Sequence, residues 1–150
     1  MSMSYWMIEG VGLDTDKIIP YLNSEKLAQF LIEQLGQEPG TVTELKRMVA
    51  SGDFSSLDIE DYLYGQPFDN IADLLTHCDD TDSITYGDDG EGSYYFYYPP
   101  SMPWEMRDTE PKNIQEVHNR IIAAVQQVAD LESDEIDLMI DDDLHVVGFG

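Results

Sequence analysis

The chain holds a single cysteine, only 7 basic residues against 31 acidic ones, and no apolar run long enough to span a bilayer. Each shortage excludes something. Cys78 alone rules out an intrachain disulfide framework and fits a reducing compartment. A net charge of −24 argues against direct nucleic-acid binding, because phosphates need Lys and Arg to displace their counterions. The same charge argues against anionic membrane surfaces. Membrane spans need roughly 20 consecutive apolar residues, and none is present. Met1–Gly12 carries no basic segment ahead of its apolar residues, so no signal peptide is expected and the expected location is cytoplasmic.

Motifs that carry chemistry are also missing. Asp14-Thr15-Asp16 and Asp80-Thr81-Asp82 begin like calcium loops, but Ile18 and Ile84 occupy the next ligand positions. His77-Cys78, His118 and His145 lack zinc-ligand spacing. A Cys78–His nucleophilic pair would need distant residues to converge, and Cys78 already fits a buried helical stripe. Carboxylates are so abundant that spacing alone identifies no acid/base pair. Gly87, Gly90 and Gly92 sit among acids that would repel a phosphate. The reading is a non-enzyme with no cofactor and no metal site.

What is present is a core. Apolar residues make up 42% of the chain, enough to pack one domain over residues 1–150. The expected fold class is α+β, a small, mainly antiparallel sheet of about four strands with helices packed mostly on one face. Tyr5–Gly12 reads as the first strand, with Trp6 and Ile8 on one face, Tyr5 and Met7 on the other, and a bulge or close neighbour at Gly10 and Gly12. Asn23 or Ser24 caps a helix carrying Leu27, Phe30, Leu31 and Leu35. Short helices follow from Thr41 and over Leu57–Tyr64, then a stripe of Phe68, Ile71, Ala72, Leu75 and Cys78.

Ser83–Gly87 and Ser93–Tyr98 form a hairpin turned by Asp88, Asp89, Gly90, Glu91 and Gly92. Its second strand is aromatic throughout, with Tyr94, Phe96 and Tyr98 on one face and Tyr95 and Tyr97 on the other. The longest helix spans about Pro111–Asp130, with Ile114, Val117, Ile121, Ala124, Val125 and Val128 inward and His118 on or beside that stripe. Ser133 starts another element. Ile136, Met139 and Ile140 suit a helix while Ile136, Leu138 and Ile140 suit a strand, and the helix is preferred. Leu144–Gly148 gives the last strand.

Charge carries the functional expectation. No Lys or Arg lies between Met48 and Met106, nor after Arg120, so these carboxylates have no local helical partners. Duplex DNA carries about one charge per ~1.7 Å of axis, and carboxylates on a rigid scaffold can imitate that density. Exposed rings beside them would select one partner. The expected partner-binding residues are Asp79, Asp80, Asp82, Asp88, Asp89, Glu91, Tyr95, Tyr97, Trp104, Asp141, Asp142 and Asp143. The expected partner is a basic protein that handles nucleic acid.

In bulk character the chain is similar to phage inhibitors of host nucleases and to immunity proteins that neutralise basic toxins, on composition and not on any motif. The expectation is therefore a non-catalytic, DNA-mimic-like inhibitor, of phage or mobile-element type, acting on a host nuclease or defence protein. Two alternatives stand beside it: an immunity protein for a basic toxin, and an accessory or structural protein whose acidity only aids solubility. Oligomeric state is left open.

Overall fold

The computed structural model describes residues 5–34, 43, 46–47, 70–81, 83–99, 111 and 113–149. The fold is α+β. Four strands, β1 (Tyr5–Asp14), β2 (Thr85–Asp88), β3 (Tyr94–Tyr98) and β4 (Asp141–Phe149), form one antiparallel sheet in the order β2-β3-β1-β4. The hairpin is thus an outer pair, and the two ends of the chain meet as β1 and β4. The last strand is longer than its apolar core, because Asp141, Asp142 and Asp143 belong to it.

Four helices are described: α1 (Ser24–Gln29), which continues as a π-helical turn over Phe30–Gln34, α2 (Ile71–Cys78), α3 (Ile114–Gln126) and α4 (Ser133–Met139). Three begin at an asparagine whose carbonyl oxygen accepts a backbone N–H two or three residues into the helix. Asn23 takes Lys26 N at 2.9 Å, Asn70 takes Asp73 N at 2.9 Å and Asn113 takes Glu116 N at 2.9 Å. At α4 the Glu135 carboxylate reaches back to Glu132 N at 3.0 Å. The cap at Asn113 shortens the long helix from the expected Pro111 start, and leaves Ile114, expected inward, 51% exposed on its first turn. Leu138 is 88% exposed while Ile136 is fully buried, the helical alternative for that segment.

One core joins the sheet to the helices. Leu13 of β1 and Phe96 of β3 pack with Leu27, Leu31, Leu74, Leu75, Ile121, Val125 and Ile136, and the partly buried Tyr94 and Tyr98 border it. Phe96 has no solvent exposure, and its loss to Ala would cost about 3–5 kcal/mol. Cys78 belongs to this core; burial first and the nearby Asp80 second push its thiol up to about 12. Such a thiol is inert.

The opposite face of the sheet is covered in part, by curling. At Gly10 the φ is 143°, a region that disfavours any side chain, and a Cβ there would lie 1.9 Å from the Tyr98 carbonyl oxygen. β3 can cross so close only over glycine. Just beyond, three steps of β4 (Leu144 to Asp141) match two of β1 (Gly10 to Gly12), a bulge that bends the ribbon. The bent N-terminal half of β1 reaches over β3 to β2. The Trp6 indole N–H donates to the Asp88 carbonyl at 2.6 Å, and Ile8 carbons lie 3.4 Å from where a Gly87 Cβ would be. Ile8 and Leu144 are buried outside the main core, so this is a second apolar layer.

The helices expected from Thr41 and over Leu57–Tyr64 lie outside the described residues, apart from the helical Thr43, Lys46 and Arg47. Phe68, Asp82 and Trp104 lie outside them too.

Candidate acidic interface

The hairpin turn is built by its own carboxylates. Asp89 Oδ1 accepts from Glu91 N at 2.7 Å and Ser93 N at 3.1 Å, and Asp88 Oδ2 accepts from Gly90 N at 3.1 Å. Asp89 N closes the loop onto Ser93 O at 3.1 Å. Gly90 and Gly92, at φ of 80° and 99°, complete the reversal. Aspartate at these positions orders the loop and leaves its charge at the surface, and Glu91 is exposed.

Register places the rings. Asp14 pairs with Tyr95, which pairs with Gly87; Asp141 pairs with Gly12, which pairs with Tyr97, which pairs with Thr85. Side chains of directly paired residues share a face. Tyr95, Tyr97, Asp14 and Asp141 therefore lie on one side of the sheet, opposite Phe96. The Tyr95 phenol is raised above its ordinary 10, by burial first and then by the negative charges of Asp14, Asp89 and Asp16. The Tyr97 phenol is raised by burial alone. Both rings are half-buried, not free. Of the two, Tyr95 is the one in an acidic setting.

The other expected residues divide. Asp80 is exposed. Asp79 is buried and shapes the turn after α2: Oδ1 accepts from Thr81 N and Oγ1 at 3.1 and 2.6 Å, and Oδ2 accepts from Ser83 N and Ile84 N at 2.9 and 3.0 Å. Burial would raise its carboxyl, but these hydrogen bonds hold it below the ordinary 3.8. With both oxygens occupied internally, Asp79 is a structural residue and leaves the set of surface contacts. Asp141, Asp142 and Asp143 are exposed at the start of β4, next to the exposed Glu132, Asp134, Glu135 and Asp137 around α4. Asp142 also contacts His118. Asp82 and Trp104, outside the described residues, are not placed.

Several described cations are engaged away from these carboxylates. Lys26 caps α3 through Gln126 O at 3.3 Å, donates also to Ala129 O at 3.1 Å, and pairs with Asp130 at 3.4 Å. Lys46 meets Glu25 at 3.0 Å. Arg120 donates to Ser83 Oγ at 2.8 Å and pairs with Glu116 at 3.2 Å. Lys17, exposed beside Asp16, is the basic residue closest in sequence to the Tyr95 cluster. With 7 basic residues against 31 acidic ones, the chain as a whole stays strongly negative.

Three features were invisible in the sequence. Asp14 and Asp16, read as a failed calcium loop, flank Tyr95 because β1 pairs with β3. Trp6 reaches the edge strand. His118, expected on or beside the apolar stripe, lies between Asp137 and Asp142. None has a local signal, since each depends on strand order or on a bulge. Among the described residues no group of three His, Cys, Asp or Glu side chains is placed to hold a metal ion, and no helix is long and apolar enough to cross a membrane. An open depression of about 220 Å³ is lined by Lys26, Gln29, Phe30, Glu33 and Gln127, with its lysine already committed to the end of α3 through Gln126 O. Compared with known families, curated proteins and solved structures, the chain matches no family model, no curated protein and no solved structure.

Proposed function

We propose that the protein is a non-catalytic acidic inhibitor that occupies the nucleic-acid-binding surface of a basic host protein, a nuclease or defence protein, and excludes its substrate. The observation that carries this reading is the half-buried Tyr95, held on a rigid hairpin beside Asp14, Asp16 and Asp89. Charge supplies long-range attraction, which raises association rates toward roughly 10⁸–10⁹ M⁻¹s⁻¹ at low salt. An ordered ring edge among the carboxylates supplies selectivity, since aromatic anchors dominate binding energy. The exposed Asp141 and Asp143 extend the negative surface along the same sheet.

The immobilised protein should retain nucleic-acid-binding proteins from a host lysate at low salt. Retention should fall as salt rises through about 0.15 M, where screening acts over ~8 Å. Added protein should displace labelled duplex from the partner so captured. Retention of neutral or acidic proteins only, or a ternary complex with duplex still bound, would contradict the reading.

A further inference from the structure

We propose that His118 is a proton-operated latch that fastens α4 and the bulged start of β4 to α3. The imidazole side chain is only 12% exposed, and both ring nitrogens are engaged. Nδ1 lies 2.6 Å from Asp137 Oδ1 on α4, and Nε2 lies 2.5 Å from Asp142 Oδ1 on β4. A neutral imidazole carries one N–H and can donate to one carboxylate, while an ionised carboxylate only accepts. Two such contacts at once require the imidazolium. Removing the proton sets a ring lone pair against a carboxylate oxygen, and one of the two elements must let go.

The bulge makes the second contact available. Asp142 and Asp143 lie in the irregularity between the Gly10–Leu144 and Gly12–Asp141 pairs, so Asp142 can turn toward α3. The two carboxylates approach opposite ring nitrogens and so diverge from any common metal position. Burial alone would lower the His118 pKa, but the hydrogen bonds and charges of Asp137 and Asp142 raise it above the ordinary 6.5. The remaining charged groups of the packed elements are Glu116 and Arg120 on α3, paired at 3.2 Å, and Asp73 and His77 on α2, at 3.7 Å. On α4 and β4 they are the acids Asp134, Glu135, Asp141 and Asp143, together with His145, which lies 3.1 Å from Glu9 on β1. A raised pKa means that the latch is fully closed below 6.5 and opens as pH rises through the higher folded value. The latch rests on this geometry and is independent of the partner reading.

The test is an NMR titration of the intact protein from about pH 5 to 9, across the histidine range. The His118 ring should carry protons on both nitrogens at the acid end and titrate with a midpoint above 6.5. Amides of Asp142–Leu144 or Asp137–Ile140 should shift with the same midpoint and lose exchange protection above it. Asp142→Asn should lower the midpoint and abolish the coupled shift in β4. The proposal is overturned by a neutral His118 tautomer at the acid end, by a midpoint at or below 6.5, or by α4 and β4 amides that ignore its titration. The wild-type titration decides even where the variant folds poorly.

Discussion

Trp6 donates its indole N–H to the backbone carbonyl of Asp88, 82 positions away, on a strand that is not its neighbour in the sheet. The bond exists because the Gly10 region lets β1 bend across β3. Trp6→Phe keeps an aromatic ring but removes the indole donor, leaving the Asp88 carbonyl short of a partner. The expected cost is about 0.5–1.5 kcal/mol in urea unfolding. An unchanged midpoint would mean that the curled face contributes nothing.

Gly148 makes the companion test. A Cβ there would lie 2.3 Å from the Trp6 indole nitrogen, so Gly148→Ala forces the ring off β4. Overpacking of this kind costs roughly 1–3 kcal/mol. Loss of stability in Gly148→Ala that vanishes in the Trp6→Ala background would locate the clash by a double-mutant cycle.

Asp79 anchors the turn between α2 and β2, and its removal strands the buried Ile84 N–H and the amides of Thr81 and Ser83. Asp79→Ala is expected to destabilise by about 1–3 kcal/mol in thermal or urea melts. Because the folded carboxyl sits below 3.8, its contribution is complete above that value and is lost as pH falls through the lower folded one. Melts below pH 4 or so should therefore fall less steeply with acid in Asp79→Asn than in wild type. Parallel pH profiles would contradict the assignment.

Asn23 does two jobs, capping α1 through Lys26 N and donating to Asp130 Oδ2 at 2.7 Å. Asn23→Ala should cost about 0.5–2 kcal/mol by calorimetry, and Asn23→Ser less, because it keeps a capping oxygen without adding a charge beside Asp130. Equal losses would place the effect in the Asp130 contact instead.

Much of this fold is written in local patterns. The alternation of Trp6 with Ile8, the aromatic run Tyr94–Tyr98, the glycine turn and the stripe of Val117, Ile121, Ala124, Val125 and Val128 each lie where spacing puts them. Residues that need tertiary partners did not read correctly. Ile114 keeps the stripe's phase but falls on an exposed first turn, Asp79 looks like one more acid in a run, and His118 looks like a packing residue. Periodicity reports which way a side chain faces along its own element. It says nothing of what another element brings to meet it.

The central claim is that surface charge around Tyr95 and at the start of β4 drives recognition of a cationic partner. Asp89, Asp141 and Asp143 are to be replaced together by Asn, which keeps the loop acceptors and spares Asp142. Affinity for the captured basic partner is then measured against salt concentration, alongside thermal melts. The account predicts unchanged melting, binding weaker by roughly 1.5- to 5-fold per charge removed, equivalent to about 0.2–1 kcal/mol for an exposed pair, and a shallower salt dependence. Identical affinity and an identical salt slope in the neutralised protein would contradict it.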